Sequence, residues 1–211
     1  VSGKNRKAMK EFWDERYAEP DYAYGKAPNK YFKKKLDKIQ LGEILFTAEG
    51  EGRNAVYAAK KGWKVSAFDI SKEGRDKALK LANSENVKID YRVGKLPDMD
   101  YKAEQFDAIA LIFAHFSPED KQSYFAEFRN LLKPDGVIIF EAFSKEQIDV
   151  QKENPKSGGP KNAEMLFSKE ELQTSFSGFK FEEFEDKLIE LSEGKYHNGK
   201  AAVIRFVAKK L

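Results

Sequence analysis

The chain has 211 residues, with 38 Lys and Arg against 35 Asp and Glu, a net charge of +3, and no cysteine. That length suits a single domain with a full hydrophobic core, and the evenly spread charge argues against a nucleic-acid footprint. The missing cysteines exclude disulfides, thiolate metal sites and cysteine nucleophiles and fit a cytoplasmic protein; no metal site, membrane-spanning run or signal peptide is expected.

Residues 1–5 read as a polar tail. Met9 to Tyr17 predicts a short amphipathic helix carrying Phe12, Trp13 and Tyr17, followed by a turn-rich link from Glu19 through Gly25 and Pro28. Tyr31 to Ile39 reads as a lysine-rich helix. Strands and helices then alternate: strand Glu43 to Thr47, helix Arg53 to Lys61 stopped by Gly62, strand Trp63 to Phe68, helix Glu73 to Ala82, strand Val87 to Val93. Phe106 to Phe113 is almost wholly apolar, as a strand buried on both faces should be. Pro118 opens a helix to Leu132. Lys133-Pro134-Asp135-Gly136 reads as a turn in which Pro sets φ and Gly permits a positive φ. Val137 to Phe143 is another buried strand, and 144–161, with Pro155, Gly158, Gly159 and Pro160, reads as a long loop. Ser168 caps a helix over Lys169 to Phe176, with Glu171 at capping-box spacing. Phe179 to Leu191 and Ala201 to Ala208 are two final strands, joined by 192–200.

Alternating strands and helices give a parallel α/β sheet. The last two strands are joined by too few residues for a helical crossover, so they pair antiparallel. Small residues at Ala48, Gly50 and Gly52 in the first strand-to-helix turn let a nucleotide approach backbone N–H groups; an ordinary turn reads the same way. Arg53 opens the next helix as a ligand contact or an ion-pair partner. Asp69 ends the second strand, where a carboxylate accepts both hydroxyls of a ribose; it can also cap a helix, as can Ser71. Ile70 would lie against the base, and Lys95-Leu96 falls where a base edge would sit. His115, in Phe113 to Phe116 after the fourth strand, falls at the crevice or in a structural hydrogen bond. His197, in the segment joining the last strands, is a candidate acid or base. Trp13, Tyr17, Tyr22 and Tyr24 pack a helix or cover a cofactor. A sulfonium would favour such aromatic faces together with the carboxylates of Glu49 and Glu51.

Phe12-Trp13-Asp14-Glu15-Arg16-Tyr17, Tyr24 to Asn29, and Glu49-Gly50-Glu51-Gly52-Arg53-Asn54 resemble segments of class I S-adenosylmethionine-dependent methyltransferases, within the small branch related to tellurite-resistance methyltransferases. The resemblance continues through Asp69-Ile70-Ser71, Phe106 to Ile109, Ile112 to Phe116, Leu132 to Gly136, Glu141 to Phe143, Gly158 to Lys161 and Gly194 to Gly199. It implies a Rossmann-like doubly wound sheet of seven strands in the order 3-2-1-4-5-7-6, the last pair antiparallel, with helices on both faces. It implies a single domain, with residues 1–40 as a helical lid and 41–211 as the cofactor-binding sheet and substrate loops. Residues 48–53 would then hold the methionine part of S-adenosyl-L-methionine, Asp69 the ribose, Ile70, Lys95 and Leu96 the adenine. Trp13, Tyr17, Tyr24 and Phe113 would line the same site, with His115 and His197 as catalytic candidates. Phe46 and Ala48 stand where the commoner class I pattern has an acid and a glycine, and Glu49 is positioned to compensate.

The expected reaction is in-line methyl transfer to a small molecule or small oxyanion, with a thiol or chalcogen acceptor and tellurite as one candidate. The expected partner is that small molecule, not nucleic acid or membrane, and the expected state is monomer or homodimer. A nicotinamide-dependent dehydrogenase and a non-catalytic cofactor-binding module are the competing readings. The terminal hairpin and the absence of a Tyr-x-x-x-Lys set weigh against the first.

Overall fold

The computed structural model describes residues 2–211, with side chains from residue 7 onward. Its elements run α1 (Ser2–Ala18), α2 (Lys30–Leu36), β1 (Glu43–Thr47), α3 (Arg53–Lys60), β2 (Lys64–Asp69), α4 (Lys72–Ser84), β3 (Asp90–Val93), β4 (Phe106–Ile112), α5 (Pro118–Leu131), β5 (Leu132–Phe143), α6 (Gln147–Glu153), α7 (Lys169–Ser175), β6 (Phe179–Glu193) and β7 (His197–Lys210). The strands form one sheet in the order β3-β2-β1-β4-β5-β7-β6. The first five pair parallel, and β7 runs antiparallel to both β5 and β6. The expected strand order and terminal hairpin are therefore present.

Side-chain alternation places a separate apolar layer on each face of the sheet. Leu45, Ile109, Leu111, Ile138 and Phe140 meet α5 and α7 through Phe125, Phe128 and Leu172. Ile44, Phe46, Ala108, Ala110 and Ile139 meet α2, α3 and α4 through Phe32, Ala55 and Ala78. Phe46, which replaces the commoner acid, is fully buried and sits edge-on to Phe32, with ring centres 5.4 Å apart. That position serves the core. Truncating a phenylalanine so placed costs about 3–5 kcal/mol.

Several boundaries differ from expectation. Residues 2–5 belong to α1 rather than to a tail, and Val1 lies outside the described residues. Lys133 to Gly136 lies within β5 as an irregularity between the pairs Phe106↔Leu132 and Ala108↔Val137. Asp135, not Gly136, takes the positive φ, at 64°. Gly136 is needed for room, because a Cβ there would stand 2.8 Å from the Lys133 carbonyl oxygen. The expected loop 144–161 contains α6 and a 3-10 turn over Pro155–Ser157. Buried Gln147 organises it, accepting from Ala202 N–H at 2.8 Å and donating to Ser157 Oγ at 2.9 Å. The ladder of β6 and β7 runs on to Glu193↔His197, which leaves only residues 194–196 to turn. Ser168 caps α7 as expected, whereas the Glu171 carboxylate pairs with Lys121. Among the described residues, no helix is long and apolar enough to cross a membrane.

Candidate functional site

The carboxyl ends of β1, β2, β3, β4 and β5 open on a cavity of about 1700 Å³. Small-molecule sites usually enclose roughly 300–1,000 Å³, so this one has room for two small molecules side by side. Residues of α1, the link to α2, the segment after α6 and the β6–β7 turn complete its walls.

The end of β1 turns through Ala48 (φ 49°), Gly50 (φ 59°) and Gly52 (φ 81°). Ala48 and Glu49 face the cavity; Gly50 and Gly52 do not line it. Their lack of a side chain has another cause. A Cβ on Gly50 would stand 2.5 Å from the Tyr17 hydroxyl, and one on Gly52 2.5 Å from the Ala78 Cβ. The glycines thus let α1 and α4 close on the turn. Gly52 offers α3 no capping side chain, and Glu49 takes over. Its carboxylate accepts from the N–H groups of Asn54 at 2.9 Å and Ala55 at 2.8 Å. Burial outweighs these bonds and pushes the carboxyl up to about 7. Glu51 points away, accepting from Ala23 N–H at 2.7 Å and pairing with Lys77, so it is not a cavity carboxylate.

Asp69 ends β2 at the cavity, 6% exposed. Its two oxygens accept from Gly50 N–H at 2.9 Å and Ser71 N–H at 2.8 Å. A carboxylate has about four acceptor positions, so room remains for a hydroxyl donor. Burial pushes this carboxyl up to about 6, against the backbone N–H groups of Ser71, Gly50 and Ile70. Ser71, rather than Asp69, caps α4 by accepting from Gly74 N–H. Ser71 Oγ also donates to Asp14 at 2.6 Å, which docks α1 beside the site. Ile70 and Lys95 line the cavity, with Lys95 paired to Asp120. Leu96 does not; its side chain is buried in the core layer with Phe68 and Phe116.

From α1, Trp13 and Tyr17 reach the cavity stacked at 5.4 Å. Tyr24 joins them from the link, where its hydroxyl accepts from Arg16 at 3.2 Å. Phe12 and Arg16, which the sequence reading did not single out as site residues, also line it. The Arg16 guanidinium lies 4.1 Å from the centre of the Tyr196 ring and ties α1 to the hairpin turn.

After β4, Phe113 takes φ 52°, a conformation that bulky residues avoid. Its N–H donates to the Glu141 carbonyl at 2.6 Å, and its ring packs on Phe143 and His197 at 4.7 and 4.6 Å. His115 lies between Phe143 and Phe167. Its Nδ1 is 2.9 Å from the Met165 carbonyl, and its Nε2 accepts from Phe143 N–H at 3.4 Å. Burial lowers its pKa to about 4. Both ring nitrogens are committed to backbone, and the ring is neutral. His197, 4% exposed, lines the same cavity and uses one nitrogen, Nδ1, on Glu193 at 3.3 Å.

Arg53 touches the cavity and pairs with Glu193 at 2.8 Å. Behind it a buried polar chain crosses the sheet: Asn29 donates to both Glu141 and Glu193, and Arg205 lies 3.4 Å from Glu141. Glu193 went unread in the sequence; only its position in the ladder opposite His197 reveals it.

Residues 44–136 match the family model described as a methyltransferase domain. The chain is 32% identical over 130 residues to the ubiquinone biosynthesis O-methyltransferase of Actinobacillus pleuropneumoniae, covering 59% of this chain and 52% of that protein. It is 29% identical over 130 residues to the glycine/sarcosine N-methyltransferase of Aphanothece halophytica, covering 57% and 47%. The chain thus spans about half the length of these curated relatives. The crystal structure of TehB from Haemophilus influenzae superposes with a TM-score of 0.71 at 16% identity, over 96% of this chain and 67% of that one, a likeness of fold. Residues 44–136 thus resemble a methyltransferase domain, and over most of its length the chain carries the fold of solved S-adenosylmethionine-dependent methyltransferases.

Proposed function

We propose that the protein transfers a methyl group from S-adenosyl-L-methionine to a small thiol or chalcogen oxyanion, with tellurite among the candidates. The observation that carries this reading is one cavity holding two carboxylates, half-buried Glu49 and buried Asp69, at the ends of β1 and β2, with an aromatic cluster and His197 on its other walls. These groups suit the cofactor's parts. Asp69 has lone pairs for ribose hydroxyls, Ile70 and Lys95 flank the place of the base, and Trp13, Tyr17, Tyr24 and Phe113 offer ring faces to a sulfonium. Ala48, Glu49 and Arg53 lie beside the place of the methionine part. Gly50, Gly52 and Leu96 support these walls from behind rather than lining them.

When bound, S-adenosylmethionine would supply an electrophilic methyl group on a sulfonium, and the residues named above would hold it. The chain's task is to align the acceptor, exclude water and receive a proton. His197 takes that proton at its free nitrogen and later releases it to water. His115 holds the segment after β4 against Met165 and Phe143. Residues 1–40 act as the lid of a single-domain enzyme. In this reading the protein works in the cytoplasm, as a monomer or homodimer, on a free small molecule rather than on nucleic acid or a membrane.

The similarity to both an O- and an N-methyltransferase leaves the acceptor to experiment. Calorimetry with S-adenosylmethionine, S-adenosylhomocysteine and NAD should give binding of the first two only. A panel of thiophenol, selenite, tellurite and small amines, followed by S-adenosylhomocysteine release, should give turnover with a thiol or an oxyanion. Binding of NAD alone would overturn the proposal. Tight cofactor binding without turnover on any acceptor would instead mark a non-catalytic module.

A further inference from the structure

Glu193 ends β6 and His197 begins β7, and the two face each other as the last pair of the ladder. Glu193 Oε2 lies 3.3 Å from His197 Nδ1 and accepts from Arg53 Nη2 at 2.8 Å, while Oε1 accepts from Asn29 Nδ2 at 3.1 Å. The carboxyl is buried among donors. Burial alone pushes it up, but the His197 hydrogen bond and the Arg53 guanidinium outweigh burial and hold it at about 2. An ionised carboxylate can only accept, so the ring proton of His197 belongs on Nδ1 and the lone pair on Nε2. The rings of Tyr24, Phe113 and Phe143 surround the imidazole at 4.3, 4.6 and 5.3 Å and fix its plane. Among the described residues, no hydrogen bond is made at Nε2, and His197 lines the cavity.

We infer that Glu193 is the positioning residue for His197, holding the ring in the Nδ1–H tautomer and leaving Nε2 to accept the proton of the methyl acceptor. This rests on the methyl-transfer reading above. The charged and titratable groups around the ring fit the role. Burial, Arg53 and Arg16 lower the His197 pKa, and Glu193 opposes them, so the imidazole is neutral at neutral pH and able to take a proton. Tyr24 beside it is kept protonated by burial, and His115 is neutral. As the acceptor's X–H proton moves to Nε2, the imidazolium forms against the Glu193 carboxylate, which stabilises it. The acceptor's electron pair is thereby freed for the new X–C bond. His115 lacks this arrangement, since both of its nitrogens are bonded to backbone.

The chain has only two histidines, so imidazole 15N spectra of the full-length protein test the idea directly. The His115→Gln variant assigns the two signals. At pH 7.5, His197 should show a protonated Nδ1 and a bare Nε2. Glu193→Gln should keep that tautomer, because an amide oxygen still accepts; Glu193→Leu should shift the ring toward the Nε2–H form. If Glu193 merely anchored Arg53, Gln and Leu would lower stability alike and leave the tautomer unmoved. A bare Nδ1 in the wild type, or an unchanged tautomer in Glu193→Leu, overturns the proposal. Should Glu193→Leu fail to fold, Glu193→Ala takes its place, with the same shift toward Nε2–H supporting the proposal and an unchanged tautomer overturning it. With thiophenol as acceptor, Glu193→Gln should lower kcat by roughly ten- to a hundredfold at unchanged KM for S-adenosylmethionine. Absence of thiophenol turnover in the wild type counts against the methyl-transfer reading alone, and the tautomer still decides the role of Glu193.

Discussion

Gly52 and Ala78 touch so closely that a Cβ on Gly52 would stand 2.5 Å from the Ala78 Cβ. The second glycine of the β1–α3 turn thus answers to α4, the helix packed beneath it. Its positive φ of 81° adds a second demand for glycine. Gly52→Ala should therefore lower stability by about 2–4 kcal/mol, from overlap and backbone strain together. Adding Ala78→Gly should recover part of the loss, giving a coupling of about 1 kcal/mol in a double-mutant cycle followed by urea unfolding.

Asp69 serves two purposes, fastening Gly50 and Ser71 and facing the cavity. Asp69→Ala should weaken S-adenosylmethionine binding by about 1.5–3 kcal/mol, through loss of charged hydrogen bonds, and should also destabilise the apo protein by about 1–3 kcal/mol. Calorimetry at a temperature well below unfolding separates the two effects. An unchanged dissociation constant would remove Asp69 from the cofactor site.

The carboxyls of Asp69 and Glu49 are raised by burial to about 6 and about 7. Both folded values lie above the ordinary range near 4, so the folded state binds these protons more readily than the unfolded chain. Their contribution to stability therefore rises as pH falls from about 7 to about 4. Cofactor affinity should move the other way, because the ribose needs an ionised Asp69. A drop from pH 7.5 to 5 should weaken binding about tenfold through Asp69 alone. Calorimetric titrations across that range check the sign, with Asp69→Asn removing the Asp69 share and leaving only what Glu49 contributes.

Phe113 holds φ 52° while its ring fills the space between Phe143 and His197. Replacing it removes the packing in either small variant, but only glycine relieves the backbone. Phe113→Gly should therefore be more stable than Phe113→Ala by about 1 kcal/mol, the reverse of the usual order in regular structure, as read by thermal or urea unfolding.

Burial leaves Glu141 dependent on Asn29 and Arg205 for its hydrogen bonds. Arg205→Met should uncover a buried charge and cost about 3–5 kcal/mol at pH 8. Burial already pushes the Glu141 carboxyl up, so protonation should restore part of that stability toward pH 5. Stability curves at the two pH values test this.

Sheet class, the terminal hairpin and the place of Asp69 at the end of β2 were legible in the chain itself. They depend on local periodicity, on linker length and on the register of one acid after an apolar run, all carried by neighbouring residues. What the glycines answer to was not legible, since Tyr17 and Ala78 reach Gly50 and Gly52 only when α1 and α4 fold back. The same holds for α6, which forms inside a Gly- and Pro-rich stretch once Gln147 finds Ala202. The two histidines looked alike as sequence. Tertiary contacts separate them, binding both nitrogens of His115 to distant backbone and setting a single nitrogen of His197 against Glu193. Periodicity determines which elements form; the protonation and exposure of a side chain depend on partners far along the chain, and only the packed fold supplies those.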